Sequence, residues 1–213
     1  MKQKFYLLLI LVAPAVTTQA QIKQGAVFLG GGVNISNQSA KEPEVVAVNG
    51  YTNDVLNLTL SPSIGKAIRD NLVLGVTLSY NYGHTSYTST TNEYKTDQST
   101  YGVGVYLREY QPIFKRFYLY EQEQLSLEYV PKQGGDDLTS YSLNLGFTPG
   151  IAYAISKHFQ IETGLTNLFA ATYSHSKDET SIGNTTTSSF SLASNLSQAF
   201  SNLTVGCQFV FGN

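Results

Sequence analysis

Large apolar residues recur at every second position along Leu72-Val73-Leu74-Gly75-Val76-Thr77-Leu78-Ser79-Tyr80-Asn81-Tyr82. Leu72, Leu74, Val76, Leu78, Tyr80 and Tyr82 fall on one side, and Val73, Gly75, Thr77, Ser79 and Asn81 on the other. A period of two is the signature of a strand with one apolar face. The polar face carries small uncharged residues rather than the Lys and Glu that solvate an outer surface. That combination predicts a barrel turned inside out, with lipid against its outer wall and a polar lumen inside.

The pattern recurs along the chain. Val27, Leu29, Val33 and Ile35 share a face of a first strand, and Leu56, Leu58, Leu60, Pro62 and Ile64 oppose Asn57, Thr59, Ser61 and Ser63 in a second. The Leu72 strand is third. In a fourth, Tyr101, Val103, Val105 and Leu107 alternate with Gly102, Gly104, Tyr106 and Arg108. A fifth begins at Phe117, and a sixth sets Tyr141, Leu143, Leu145, Phe147 and Ile151 against Ser142, Asn144, Gly146, Thr148 and Gly150. A seventh runs from Phe159 to about Tyr173, and an eighth ends with Leu203, Val205, Cys207, Phe209 and Phe211 opposite Thr204, Gly206 and Gln208. These runs reach the roughly 9–11 residues that a membrane strand needs.

The connections sort by length. Ser36–Asn53, Gly83–Thr100, Val130–Leu138 and Ser174–Ser189 are long and polar, whereas Gly65–Asn71, Gln111–Arg116 and Ala154–His158 are short. Long outer loops alternating with short periplasmic turns are the arrangement of outer-membrane barrels. The expected fold is an all-β, eight-stranded antiparallel up-and-down transmembrane barrel. A soluble lipocalin-like barrel would place its large apolar residues inside and charges outside. The polar faces here lack that charge, and the chain has no Trp.

The N-terminus reads as a secretory signal peptide over residues 1–20. Lys2 and Lys4 form its basic start, Phe5 to Val16 its apolar centre and Thr18-Gln19-Ala20 its small-residue cleavage site. The barrel domain is then 21–213. No apolar run of the roughly 18 residues needed for a spanning helix follows, so a membrane crossing must be made by a closed barrel. Charged residues are only 13% of the chain, against 15 Tyr and 11 Phe, which suits a surface largely out of water. Cys207 is the one cysteine and falls on an apolar strand face, as a buried and inert thiol. It excludes an internal disulfide and any Cys-based metal site.

Charge divides between the two ends. The short turns hold Lys66, Arg69, Lys115, Arg116 and Lys157 against Asp70. The long loops hold Glu42, Glu44, Asp54, Glu93, Asp97, Asp136, Asp137, Asp178 and Glu179 against Lys41, Lys95, Lys132 and Lys177. Acidic loops argue against nucleic acid as a partner. As ordinary solvated loop charge they imply nothing more.

These features together resemble the small eight-stranded outer-membrane β-barrel family of Gram-negative bacteria, often labelled porin-like. The resemblance is carried by the leader ending Gln19-Ala20-Gln21, the Gly25-to-Ile35 strand, the Leu56-to-Tyr82 hairpin and the closing Leu203-Thr204-Val205-Gly206-Cys207-Gln208-Phe209-Val210-Phe211. The closing strand is similar to the signal that such barrels show to their insertion machinery, although Gly212 and Asn213 follow the last aromatic. The resemblance implies a bacterial outer-membrane location, membrane lipid and the insertion machinery as partners, and a monomer. It is specific for fold and weak for activity.

The best candidate site is a lumen charge cluster. Parity turns Arg108, Glu128 and Glu162 inward, and an eight-stranded interior is just wide enough for side chains to fill, so these charges need partners. They either plug the lumen or line a narrow gated pore. Counting from Phe117 puts Glu121 and Glu123 on the lipid side, where charge is unfavourable. The expectation is that bulges turn both inward towards Arg108, the alternative being a partner covering that seam. His84-Thr85-Ser86 and His175-Ser176 allow an acyl-ester hydrolase reading. The His-x-Ser spacing is similar to that of outer-membrane lipid A deacylases, without their richer context. Gly30-Gly31-Gly32 lacks the helix and Lys of a phosphate loop and suits strand curvature. No cofactor or metal motif is found. The expected role is structural or surface interaction without catalysis, with a narrow passive pore as the alternative and a surface lipid hydrolase behind it.

Overall fold

A computed structural model describes residues 22–42, 51–89, 93–132, 138–178, 184–192 and 203–212. The leader and the loop acids Glu44, Asp136, Asp137 and Glu179 lie outside the described residues. The described residues form ten β segments in chain order: β1 (Val27–Glu42), β2 (Tyr51–Arg69), β3 (Leu72–Ser89), β4 (Glu93–Phe114), β5 (Phe117–Val130), β6 (Leu138–Ala154), β7 (Phe159–Leu165), β8 (Phe169–Asp178), β9 (Asn184–Leu192) and β10 (Leu203–Phe211). Neighbours along the chain pair antiparallel from β1 to β6. Both β7 and β8 pair with β6, so they are two halves of one barrel strand. β9 and β10 pair with β8 and β7 respectively and form the last strand. β10 then pairs with β1, Val27 opposite Phe211, and closes the ring at eight strands.

The break in the seventh strand falls at Thr166-Asn167-Leu168, which periodicity reads as continuous strand. Asn167 there takes a left-handed backbone, φ 54°, a conformation that Asn tolerates better than most residues. Its amide N–H donates to Thr148 Oγ1 at 3.2 Å. The long connections are also shorter than expected. β1 continues to Glu42, β3 to Ser89 and β8 to Asp178, and β9 occupies residues assigned to a loop. These extensions are rich in Thr, Ser and Tyr, so they keep strand propensity while losing the apolar face that marks the membrane span.

Burial is the reverse of a soluble protein's. Leu29, Ile64, Leu74, Val76, Leu78, Val103, Val105, Leu125, Leu127, Leu145, Ile161 and Val205 all stand exposed on the outer wall. Aromatic pairs bound this apolar band. Phe117–Tyr153 and Phe159–Phe209 lie at the short-turn end, and Tyr80–Tyr101 and Tyr129–Tyr141 at the other. Among the described residues the apolar core lies inside the barrel, at the short-turn end. Phe28, Val73, Tyr106, Tyr110, Tyr118, Tyr120, Ala152 and Val210 fill it, with Ile22 and Ala26 from the segment before β1. That segment is tied across the barrel's end. Ile22 N–H donates to Asn71 Oδ1 at 3.0 Å, Asn71 N–H returns to the Ile22 carbonyl at 3.0 Å, and Gln24 N–H reaches Asp70 Oδ1 at 2.9 Å.

Candidate functional site

Arg108 projects inward from β4 directly above this apolar plug. Its Nη1 donates to Glu162 Oε2 at 2.7 Å and to Tyr110 Oη at 2.9 Å, and its Nε to Gln122 Oε1 at 2.8 Å. The two charged side chains are 9% and 8% exposed, so the pair is buried. Glu162 is held from a second side by Gln208 Nε2 at 3.2 Å, and Tyr110 also accepts from Gln160 Nε2 at 3.1 Å. Carboxylate and guanidinium thus each have further partners, which a buried pair needs to offset its desolvation.

Two tyrosines complete the layer. The guanidinium carbon lies 4.5 Å from the Tyr120 ring centre and 5.5 Å from that of Tyr106, within cation–π range. Each ring lies over a glycine pair. Gly65 and Gly75 are register partners across β2 and β3, and a Cβ on either would run into Tyr106. Gly150 and Gly164 are partners across β6 and β7, and a Cβ on either would run into Tyr120. These glycines make slots for the rings that clamp Arg108. Sequence reasoning missed both slots. The available signal was inward-facing Gly on neighbouring strands in a lumen that also holds inward-facing Tyr.

Above the charged floor lies a polar well of about 330 Å³. Its walls are hydroxyls and carboxamides, among them Thr59, Asn81, Gln124, Asn144 and Asn167. Glu128 lines it, with Ser142 and Asn144 hydrogen-bonding to its carboxylate. The lumen cluster expected from parity therefore divides. Arg108 and Glu162 meet, whereas Glu128 stands apart from them higher in the well.

Glu121 and Glu123 do not join the cluster. Both are exposed on the outer wall, alternating with inward Tyr120, Gln122 and Gln124. β5 keeps unbroken register with β6 from Phe117 to Val130, and its ladder with β4 shifts only at Pro112/Phe114. No bulge turns the glutamates inward, so simple parity holds and the expectation of bulges fails. Glu123 lies six residues from Phe117 and six from Tyr129, midway between the two aromatic ends of the strand. Glu109, also outward, is the register partner of Glu121.

The histidines lie beyond the apolar band. His84 Nδ1 is 2.7 Å from Asp97 Oδ1, which also accepts from the Tyr82 hydroxyl at 2.6 Å. These hydrogen bonds, Tyr82's first and His84's second, hold the Asp97 carboxyl below its ordinary pKa. Ser86 does not hydrogen-bond to His84; it stands opposite Lys95. His175 Nδ1 contacts Thr186 Oγ1 at 3.0 Å, while Ser176 pairs with Ser140 at 2.6 Å. Cys207 is half-buried. No group of metal-ligating side chains occurs among the described residues.

The family model described as "Outer membrane protein beta-barrel domain" matches residues 5–209. The chain belongs to this family. Membership implies the bacterial outer membrane, and in such barrels the short turns face the periplasm. The chain is also similar to the outer membrane protein OprG from Pseudomonas aeruginosa, at 11% identity and a TM-score of 0.46, covering 88% of this chain and 94% of that one. It is similar to the β domain of the Bordetella autotransporter BrkA at 10% identity and a TM-score of 0.28, covering 90% and 99% respectively. No curated protein sequence matches it.

Proposed function

We propose that this family member is a non-conducting, non-catalytic barrel with a structural and surface-interaction role, anchored as a monomer in the outer membrane of a Gram-negative bacterium. One observation carries the reading. The periplasmic end of the lumen is filled by Phe28, Tyr110, Tyr118 and Val210 beneath the Arg108–Glu162 pair. A small barrel packed in this way acts as an anchor, and what faces the environment is the set of strands that continue past the outer tyrosines. The leader directs export and the closing Leu203–Phe211 strand presents itself to the insertion machinery. Acid-bearing outer extensions disfavour nucleic acid as a partner.

The polar well favours a second reading, a narrow pore that opens when the floor rearranges. Single-channel recording of the purified mature chain in planar bilayers separates the two. The expected result is a flat baseline. Discrete, reproducible conductance steps would replace the anchor with the pore.

A further inference from the structure

We infer that the well above Arg108 is a binding site for a small hydrophilic organic monocation, a hydroxylated body bearing one amino group. This goes beyond the anchoring role, which needs no ligand. The inference begins with charge. The floor pair is internally neutral, Arg108 against Glu162. Glu128 is thus the single uncompensated charge among the described residues lining the well, and no cation pairs with it among them. Its surroundings are all neutral oxygen and amide groups. Ser79, Gly102, Glu128 and Ser142 form one row of register partners across β3 to β6, and Asn144 adds an amide. Gly102 keeps the row open, since a Cβ there would meet Ser79 Oγ and Glu128 Cγ.

A second group points the same way. Gln208 lines the floor of the well, is 1% exposed, and has its Oε1 buried without a hydrogen-bond partner. Its amide orientation is set by Nε2 donating to Glu162, so the free atom is the acceptor. The well thus holds a carboxylate without a counter-charge above and, shut in its floor, a carbonyl oxygen without a partner; both are acceptors. A complementary ligand is rich in donors and carries one positive charge. A volume of about 330 Å³ is far more than a bare ion fills, and hydroxyl and carboxamide walls match a hydroxylated body rather than an apolar one.

The test uses the mature chain in lipid nanodiscs, titrated with glucosamine as its hydrochloride and with glucose as the neutral isostere. Calorimetry and side-chain amide NMR shifts are the readouts. Glucosamine is expected to bind saturably, at least tenfold more tightly than glucose, with shifts at Asn144 and Gln124. E128Q should bring the two sugars to equal affinity while keeping the heat-dependent gel mobility of a folded barrel. Equal affinity on the native chain, saturable binding of neither sugar, or a preference that survives E128Q would each overturn the assignment. So would potassium displacing glucosamine at equal concentration, because the site would then take an inorganic ion. The two-sugar comparison on the native chain needs no variant and decides the matter even if E128Q does not fold.

Discussion

Glu162 and Glu123 are the same residue type on opposite faces of one barrel wall. Glu162 is buried, yet it receives Arg108 and Gln208, and Arg108 is itself held against the Tyr106 and Tyr120 rings. Glu123 is exposed to the apolar band, flanked across its strands by Leu107 and Phe147, and forms no ion pair in the described structure. The difference teaches where this fold can accommodate charge. Facing walls of an eight-stranded ring lie a side chain's length apart, so an inward charge meets a partner from far along the chain. An outward charge has only its sheet neighbours and lipid. The fold tolerates Glu123 because a carboxylate on the lipid face is less destabilising than Lys or Arg.

The largest test of that contrast is Arg108→Glu. It places two carboxylates together in the floor, and breaking a buried pair from one side destabilises by about 3–5 kcal/mol. Urea unfolding in lipid vesicles should show the loss, and a double Arg108→Leu, Glu162→Leu variant should recover most of it. An unchanged midpoint for Arg108→Glu would mean that the pair does not hold the floor.

On the outer wall the sign reverses. Glu123→Leu should stabilise the barrel by about 1 kcal/mol, less than the roughly 2–4 kcal/mol associated with a basic residue at the midplane. The same unfolding measurement reads it. Destabilisation instead would show that Glu123 has a partner in the bilayer, and the contrast between the walls would collapse.

Asp97 sharpens the comparison from a third setting, in water beyond the outer tyrosines. Its carboxyl pKa is lowered in the folded chain, chiefly by the Tyr82 hydroxyl and then by His84. A lowered folded-state value means that the contribution is present above the ordinary carboxylate range and is lost as pH falls through the folded value. Hydrogen exchange at the outer ends of β3 and β4 should therefore accelerate in acid relative to neutral pH, beyond the intrinsic change. Asp97→Asn should flatten that dependence. The effect is expected to be the smallest of the three, because the group is exposed and screened.

Much of this was legible in the chain. Alternation along Leu72–Tyr82 and its counterparts marks every wall of the ring, and the sorting of short and long connections marks its direction. Parity alone also places Glu121 and Glu123 correctly. The unfavourable energy of a lipid-facing acid does not override it. Strand register is enforced by a continuous hydrogen-bonded ladder, and moving those two residues inward would break that ladder on both sides of β5 for a modest gain. The missed features were of another kind. The glycine slots under Tyr106 and Tyr120 each join residues from three strands, and the turn at Asn167 leaves little trace in a period-two pattern.

By itself, then, the sequence determined the face each strand turns to lipid and the number of strands, because a period of two is a local property of successive residues. Only the tertiary structure decided that Arg108 meets Glu162 and leaves Glu128 alone. That choice depends on how far each strand is staggered when the ring closes from β10 to β1. Stagger is a property of the whole ring, and no segment of the chain carries it.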